Sequence, residues 1–85
     1  MFTRQENNKI LETIDRMLAE SGSLHNRICT GEFTTKQILQ RAEIPNTERN
    51  WSFIIRIVKA HYPSSKWERG SQDNGFNLKI KTRVK

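Results

Sequence analysis

Residues 33–63 read FTTKQILQRAEIPNTERNWSFIIRIVKAHYP, and the meaning of this stretch decides the fold. Its first part carries a helix start. Thr34 supplies a hydroxyl for an N-cap, and Gln37 stands three residues on to close a capping box. Phe33 and Ile38 occupy the positions of a hydrophobic staple around that cap. Ile38, Leu39 and Ala42 then fall on one side, which predicts a short buried helix ending near Glu43. Ile44-Pro45-Asn46-Thr47 is a turn, because proline disfavours helix in the residue before it and Asn46 or Thr47 can cap a new helix. That helix covers residues 46–61 and stops at Tyr62-Pro63.

This second helix has two sides. At about 100° per residue, Ile54, Ile55, Val58 and Tyr62 all fall within about 60° of Trp51, with Ile57 on the flank. They form the expected core face. Glu48, Arg49, Ser52, Arg56 and Lys59 lie on the other side, with Phe53 just beyond as either a core edge or a contact surface. Arg49 and Arg56 are seven residues apart, so they point the same way about two turns apart. A guanidinium fork pairs with guanine O6 and N7 or with phosphate, and a serine hydroxyl bonds either. A plain solvated face would carry the same residues.

Upstream, Thr3 and Glu6 make another capping box, and Ile10, Leu11, Ile14, Met17 and Leu18 form one apolar stripe. A first helix over residues 4–21 is expected, with Gly22 at its end. Between residues 23 and 32, Leu24 and Ile28 have the spacing of a short helical turn, and Thr30-Gly31 reads as a break. Downstream, residues 66–81 predict a hairpin. Lys66 to Arg69 is a short strand, Gly70 to Gly75 a polar loop, and Phe76, Leu78 and Ile80 alternate with Asn77, Lys79 and Lys81. Trp51 belongs to the core, and Trp67 is expected to pack between hairpin and helix.

A chain of 85 residues, 34% hydrophobic, allows one domain with a small core, residues 1–85, ending in a basic tail from about residue 82. No apolar run suits a membrane span, and the start lacks the apolar stretch of a signal peptide. With a single cysteine, Cys29, no internal disulfide can form, and a cytoplasmic location is expected (host cytoplasm for a viral protein). The net charge is +6, unevenly placed. Residues 1–33 sum to −1, whereas residues 34–85 hold eleven basic and four acidic groups. The basic part is the candidate anion-binding part. Lys79, Lys81, Arg83 and Lys85 alternate, so in extended chain they share a face that suits either phosphate contact or edge-strand protection.

His25 and Cys29 are four residues apart, but a structural zinc needs about four ligands, so neither metal nor cofactor is expected. No glycine-rich phosphate loop and no nucleophile–base set is present, and an enzyme is not expected.

The element order of a helix, a capped helix–turn–helix and a glycine-tipped hairpin resembles the winged helix-turn-helix superfamily. The resemblance covers about residues 1–81 and implies an α+β fold of three helices followed by a β-hairpin wing. It further implies double-stranded DNA as partner, with the helix after the turn in the major groove and the wing on the backbone. Carried onto this chain, the groove positions are Arg49, Ser52, Phe53, Arg56 and Lys59. The wing positions are Lys66, Arg69, Ser71, Gln72 and Asn74. Lys79, Lys81 and Arg83 add charge to the same duplex in this reading. A small regulator or architectural factor, such as a virus or mobile element carries, is the expected role. The alternative is a protein-interaction module, an adaptor or inhibitor docking on a larger nucleic-acid machine through helix 46–61. RNA binding is a third reading. A weak homodimer is also expected, since a small core leaves part of the first helix's stripe to share.

Overall fold

In a computed structural model, residues 2–83 are described. Three helices cover one face of an antiparallel four-stranded sheet, an α+β architecture. The chain runs through α1 (Arg4–Ser21), β1 (Ser23–His25), β2 (Ile28–Thr34), α2 (Thr35–Arg41), α3 (Glu48–His61), β3 (Lys66–Arg69) and β4 (Phe76–Arg83). The strand order across the sheet is β1-β2-β4-β3.

The caps stand where the sequence puts them. Thr3 accepts from the Glu6 amide while Glu6 accepts from the Thr3 amide. Thr34 and Gln37 form the same reciprocal pair at α2. Thr47 caps α3 by accepting from the Asn50 amide, so the helix begins at Glu48 and Asn46 stays in the turn.

Four of the five stripe residues of α1 are used inside the chain, and Leu11 stays half-buried at its edge. Ile10, Ile14, Met17 and Leu18 are buried in one cluster with Ile38, Leu39, Trp51, Ile54, Val58, Leu78 and Ile80. Sharing this stripe with a second copy, the ground for expecting a homodimer, is therefore not required. Arg41 donates to Glu20 and ties α2 to the end of α1, a hydrogen bond that lowers the Glu20 carboxyl pKa and raises that of the guanidinium.

Five expectations need correction. Residues 23–32 form strands, not a helical turn, so the sheet has four strands and a hairpin precedes α2. Asn26 and Arg27 both have positive φ, 51° and 65°, the requirement of a tight two-residue hairpin turn. His25 therefore pairs with Ile28 and Leu24 with Cys29, which sends Leu24 and Ile28 to opposite sides of the sheet. Gly31 is no break either. It lies within β2 at a point where an added Cβ would strike the Phe33 ring and Leu18, so glycine lets α1 close onto the strand.

On α3 the buried set is Trp51, Ile54, Ile57 and Val58, with Ile55 half-buried. The core face is turned from the expected centre toward α1, and Ile57 takes the place assigned to Ile55. Trp67 is 39% exposed rather than packed in the core, because four-residue β3 is an edge strand. Finally, β4 continues through Arg83, so the expected tail from residue 82 is strand at its start. Lys85 lies outside the described residues. Among the described residues no helix is long and apolar enough to cross a membrane.

Candidate nucleic-acid interface

Register and burial sort the basic residues onto two surfaces. Phe33, Leu78 and Ile80 are buried under the helices, so alternate residues of β2 and β4 turn to the opposite, uncovered face of the sheet. Leu78 pairs with Trp67 and Phe76 with Arg69, which places Trp67 and Arg69 on the helix side. Lys66 pairs with Lys79, which places both on the uncovered side together with Lys81 and Arg83.

The helix-side surface centres on α3. Arg49, Ser52, Arg56 and Lys59 are exposed along its outward face, and Glu48 is the acidic group among them. Lys9–Glu43 and Arg41–Glu20 are the ion pairs among the described residues, so none of the α3 cations is neutralised within the chain. Two of them are steadied by aromatic rings instead. The Arg49 guanidinium lies 5.8 Å from the centroid of Phe53, and the Lys59 ammonium lies 5.2 Å from that of Trp67. Phe53 is half-buried, and its ring meets that of Phe2 edge-on at 5.0 Å. It closes a shallow groove between α1 and α3 with Phe2, Leu11, Ile57 and Ala60. Its exposed edge backs Arg49.

Trp67 is the residue that sequence reasoning placed wrongly for contact. A tryptophan opening a short edge strand was the available signal: such a strand lacks a second neighbour to cover the ring. Arg69 stands over the Phe76 ring across the hairpin at 5.8 Å. Trp67 and Lys59 thus continue the α3 surface onto the inner edge of β3.

The hairpin loop does not stand free. The Asn74 carbonyl accepts from the Thr35 hydroxyl at 2.9 Å and from the Lys36 amide at 3.3 Å. The Asn46 side-chain amide donates to the Asp73 carbonyl at 2.9 Å. Gly75 has φ 76° and lies against Thr35 and the Trp51 ring, where a Cβ has no room. The loop is therefore anchored beside the starts of α2 and α3. Ser71 and Gln72 are exposed on it, while Asn74 is half-buried and donates to the Ser71 hydroxyl.

The uncovered face carries Lys66, Lys79, Lys81 and Arg83 with Glu32, Glu68, Thr30, Thr34 and Asn77. The resemblance assigned these four cations to the same duplex as α3, but register turns them to the face of the sheet opposite Trp67, the side that Lys59 of α3 meets. Among the described residues no group of three His, Cys, Asp or Glu side chains could hold a metal ion. Compared with protein-family models, curated proteins and solved structures, the chain matches none.

Proposed function

We propose that the protein is a winged helix-turn-helix DNA-binding protein that lays α3 in the major groove of duplex DNA. The reading rests chiefly on the outward face of α3, which projects Arg49, Ser52, Arg56 and Lys59 with no intrachain ion pair to hold any of the three cations among the described residues. Cations left unpaired on an ordered helix suit a polyanion, and arginine and serine suit base edges. Connectivity supports it too. Strand β2 leads into α2 and α3, then a hairpin whose second strand pairs back onto β2, an arrangement resembling a winged helix. The anchored loop fixes Ser71 and Gln72 relative to the start of α3, so the tip of the hairpin, rather than the outer face of its strands, accompanies the helix onto a ligand. The role is that of a small regulator or architectural factor.

Docking of the same helix on a protein is less favoured. Phe53, the apolar anchor such an interface would use, is half-buried against Phe2. Mobility shift with duplex DNA, single-stranded DNA and RNA at two salt concentrations tests the proposal. Duplex retardation that weakens steeply with salt is expected. Absence of retardation with duplex, or stronger retardation of RNA, overturns it.

A further inference from the structure

We infer that the uncovered face of the sheet is a second phosphate-binding surface, through which the protein bridges one DNA duplex to another. The inference rests on the proposed binding of a first duplex by α3.

The face is built from rows fixed by strand register. Glu32, Lys79 and Lys66 stand side by side across β2, β4 and β3, and Thr34, Asn77 and Glu68 form the row nearer the hairpin loop. In the other direction come Thr30 beside Lys81, then Ile28 beside Arg83, with His25 next to Ile28. The two carboxylates thus sit toward the loop. From Lys81 to the turn at Arg27 the titratable groups of this face are all basic.

Two features distinguish this from a scatter of surface lysines. Lys66 and Lys79 are direct cross-strand partners, an arrangement of like charges that opposes pairing of β3 with β4. Neither is in an ion pair among the described residues, and neither are Lys81 and Arg83. An anion lying across the row relieves that repulsion. The spacing also fits. Alternate residues of an antiparallel strand are about 6.8 Å apart, so Lys79, Lys81 and Arg83 span about 14 Å. That is the rise of about four nucleotides along one DNA strand. The shallow depression of about 530 Å³ at the loop end of the row is lined by Glu32 and Glu68 as well as by Lys66 and Lys79, so the phosphate path runs the other way, from Lys79 through Lys81 to Arg83.

Register turns this row away from the side of the sheet on which Lys59 of α3 meets Trp67, so a duplex lying along α3 is on the other side of the strands from it.

The test immobilises a duplex on beads, adds protein, and measures retention of a second, labelled duplex. Wild type is expected to retain it. A Lys66→Gln/Lys79→Gln/Lys81→Gln variant should bind the immobilised duplex within about threefold of wild type and retain at least tenfold less of the second. An Arg49→Ala/Arg56→Ala variant should lose the first step and with it the second. Equal retention by the triple-glutamine variant, as a dimer bridging through two α3 helices would give, overturns the inference. So does loss of first-duplex binding in that variant, which would mean one duplex touches both faces. A wild type that binds one duplex through α3 and retains no other overturns this inference alone; one that binds no duplex overturns the proposed function with it.

Discussion

The indole nitrogen of Trp51 donates to the side-chain oxygen of Asn46 at 2.5 Å, and the amide of the same Asn46 side chain reaches the Asp73 carbonyl. One turn residue thus joins the first turn of α3 to the hairpin loop. The buried tryptophan that anchors the helix and the loop that flanks it share a single hydrogen-bonding partner.

Asn46→Ala should therefore destabilise the protein by about 2 kcal/mol, because it leaves a part-buried N–H without an acceptor and frees the loop. Thermal melting checks the magnitude. Hydrogen exchange checks the mechanism: the amides of Gly70 and Asn74, bonded within the loop, should exchange faster than those of α1. Unchanged loop exchange would show that the loop holds its place without Asn46.

Tyr62 closes α3 against α1 by donating its hydroxyl to Asp15 Oδ1 at 2.7 Å. Burial and then the adjacent carboxylate raise the phenol's pKa well above its ordinary value near 10. Above pH 10 the unfolded chain ionises this group while the folded protein keeps it protonated. The unfolded state then binds fewer protons, so stability falls as pH rises, by at most about 1.4 kcal/mol per pH unit. Tyr62→Phe should cost about 1 kcal/mol at neutral pH and flatten this alkaline limb. Parallel pH profiles for the two proteins between pH 9 and 11 would contradict it.

Arg27 and Glu43 hold φ of 65° and 59°, a backbone region that costs side-chain-bearing residues about 1 kcal/mol. Arg27→Gly and Glu43→Gly should each stabilise by about 0.5–1 kcal/mol, reduced by glycine's greater freedom in the unfolded chain. Chemical denaturation measures this; a lower midpoint for either variant would show that its side chain compensates through contacts.

Arg27 also explains what the sequence concealed. The helix starts at Thr3 and Thr34 were legible because a cap needs a hydroxyl at a fixed distance from the amide it serves, and that spacing is local; at the third helix, with two polar residues adjacent, the sequence left Asn46 and Thr47 both open. The turn at Asn26-Arg27 was not legible, since its arginine adopts a conformation usually left to glycine. Without a turn signal, Leu24 and Ile28 looked helical by spacing alone. The two-sided character of α3 was legible from periodicity, yet the place of Ile57 depends on α1, which no local pattern reports. Alternation along β4 identified Lys79, Lys81 and Arg83 as one row, but a row has no address until the partner strands are known. Register with β2 and β3 sets it on the face away from the helices.

That separation sharpens the expected behaviour of α3 itself. Arg49 and Arg56 lie on the outward face of a helix whose other side is locked into the core, so their presentation to a groove does not depend on the sheet lysines. Arg56→Ala should lose about 1–3 kcal/mol of affinity on a selected site and far less on random duplex, because base-edge pairing carries the discrimination. Arg49 is backed by the Phe53 ring, so Arg49→Lys, which keeps the charge and loses the planar fork, should fall most of the way to Arg49→Ala on the selected site. Lys59→Gln, removing a charge beside Trp67, should weaken both sites alike and lower the salt slope by about 0.9. Site selection from random-sequence duplexes followed by titration of these variants at two salt concentrations measures all three. Equal losses on selected and random duplex for Arg56→Ala would reduce that residue to a phosphate contact. If the Arg56→Ala and Arg49→Ala proteins both bound DNA like wild type, α3 would not be the reading helix.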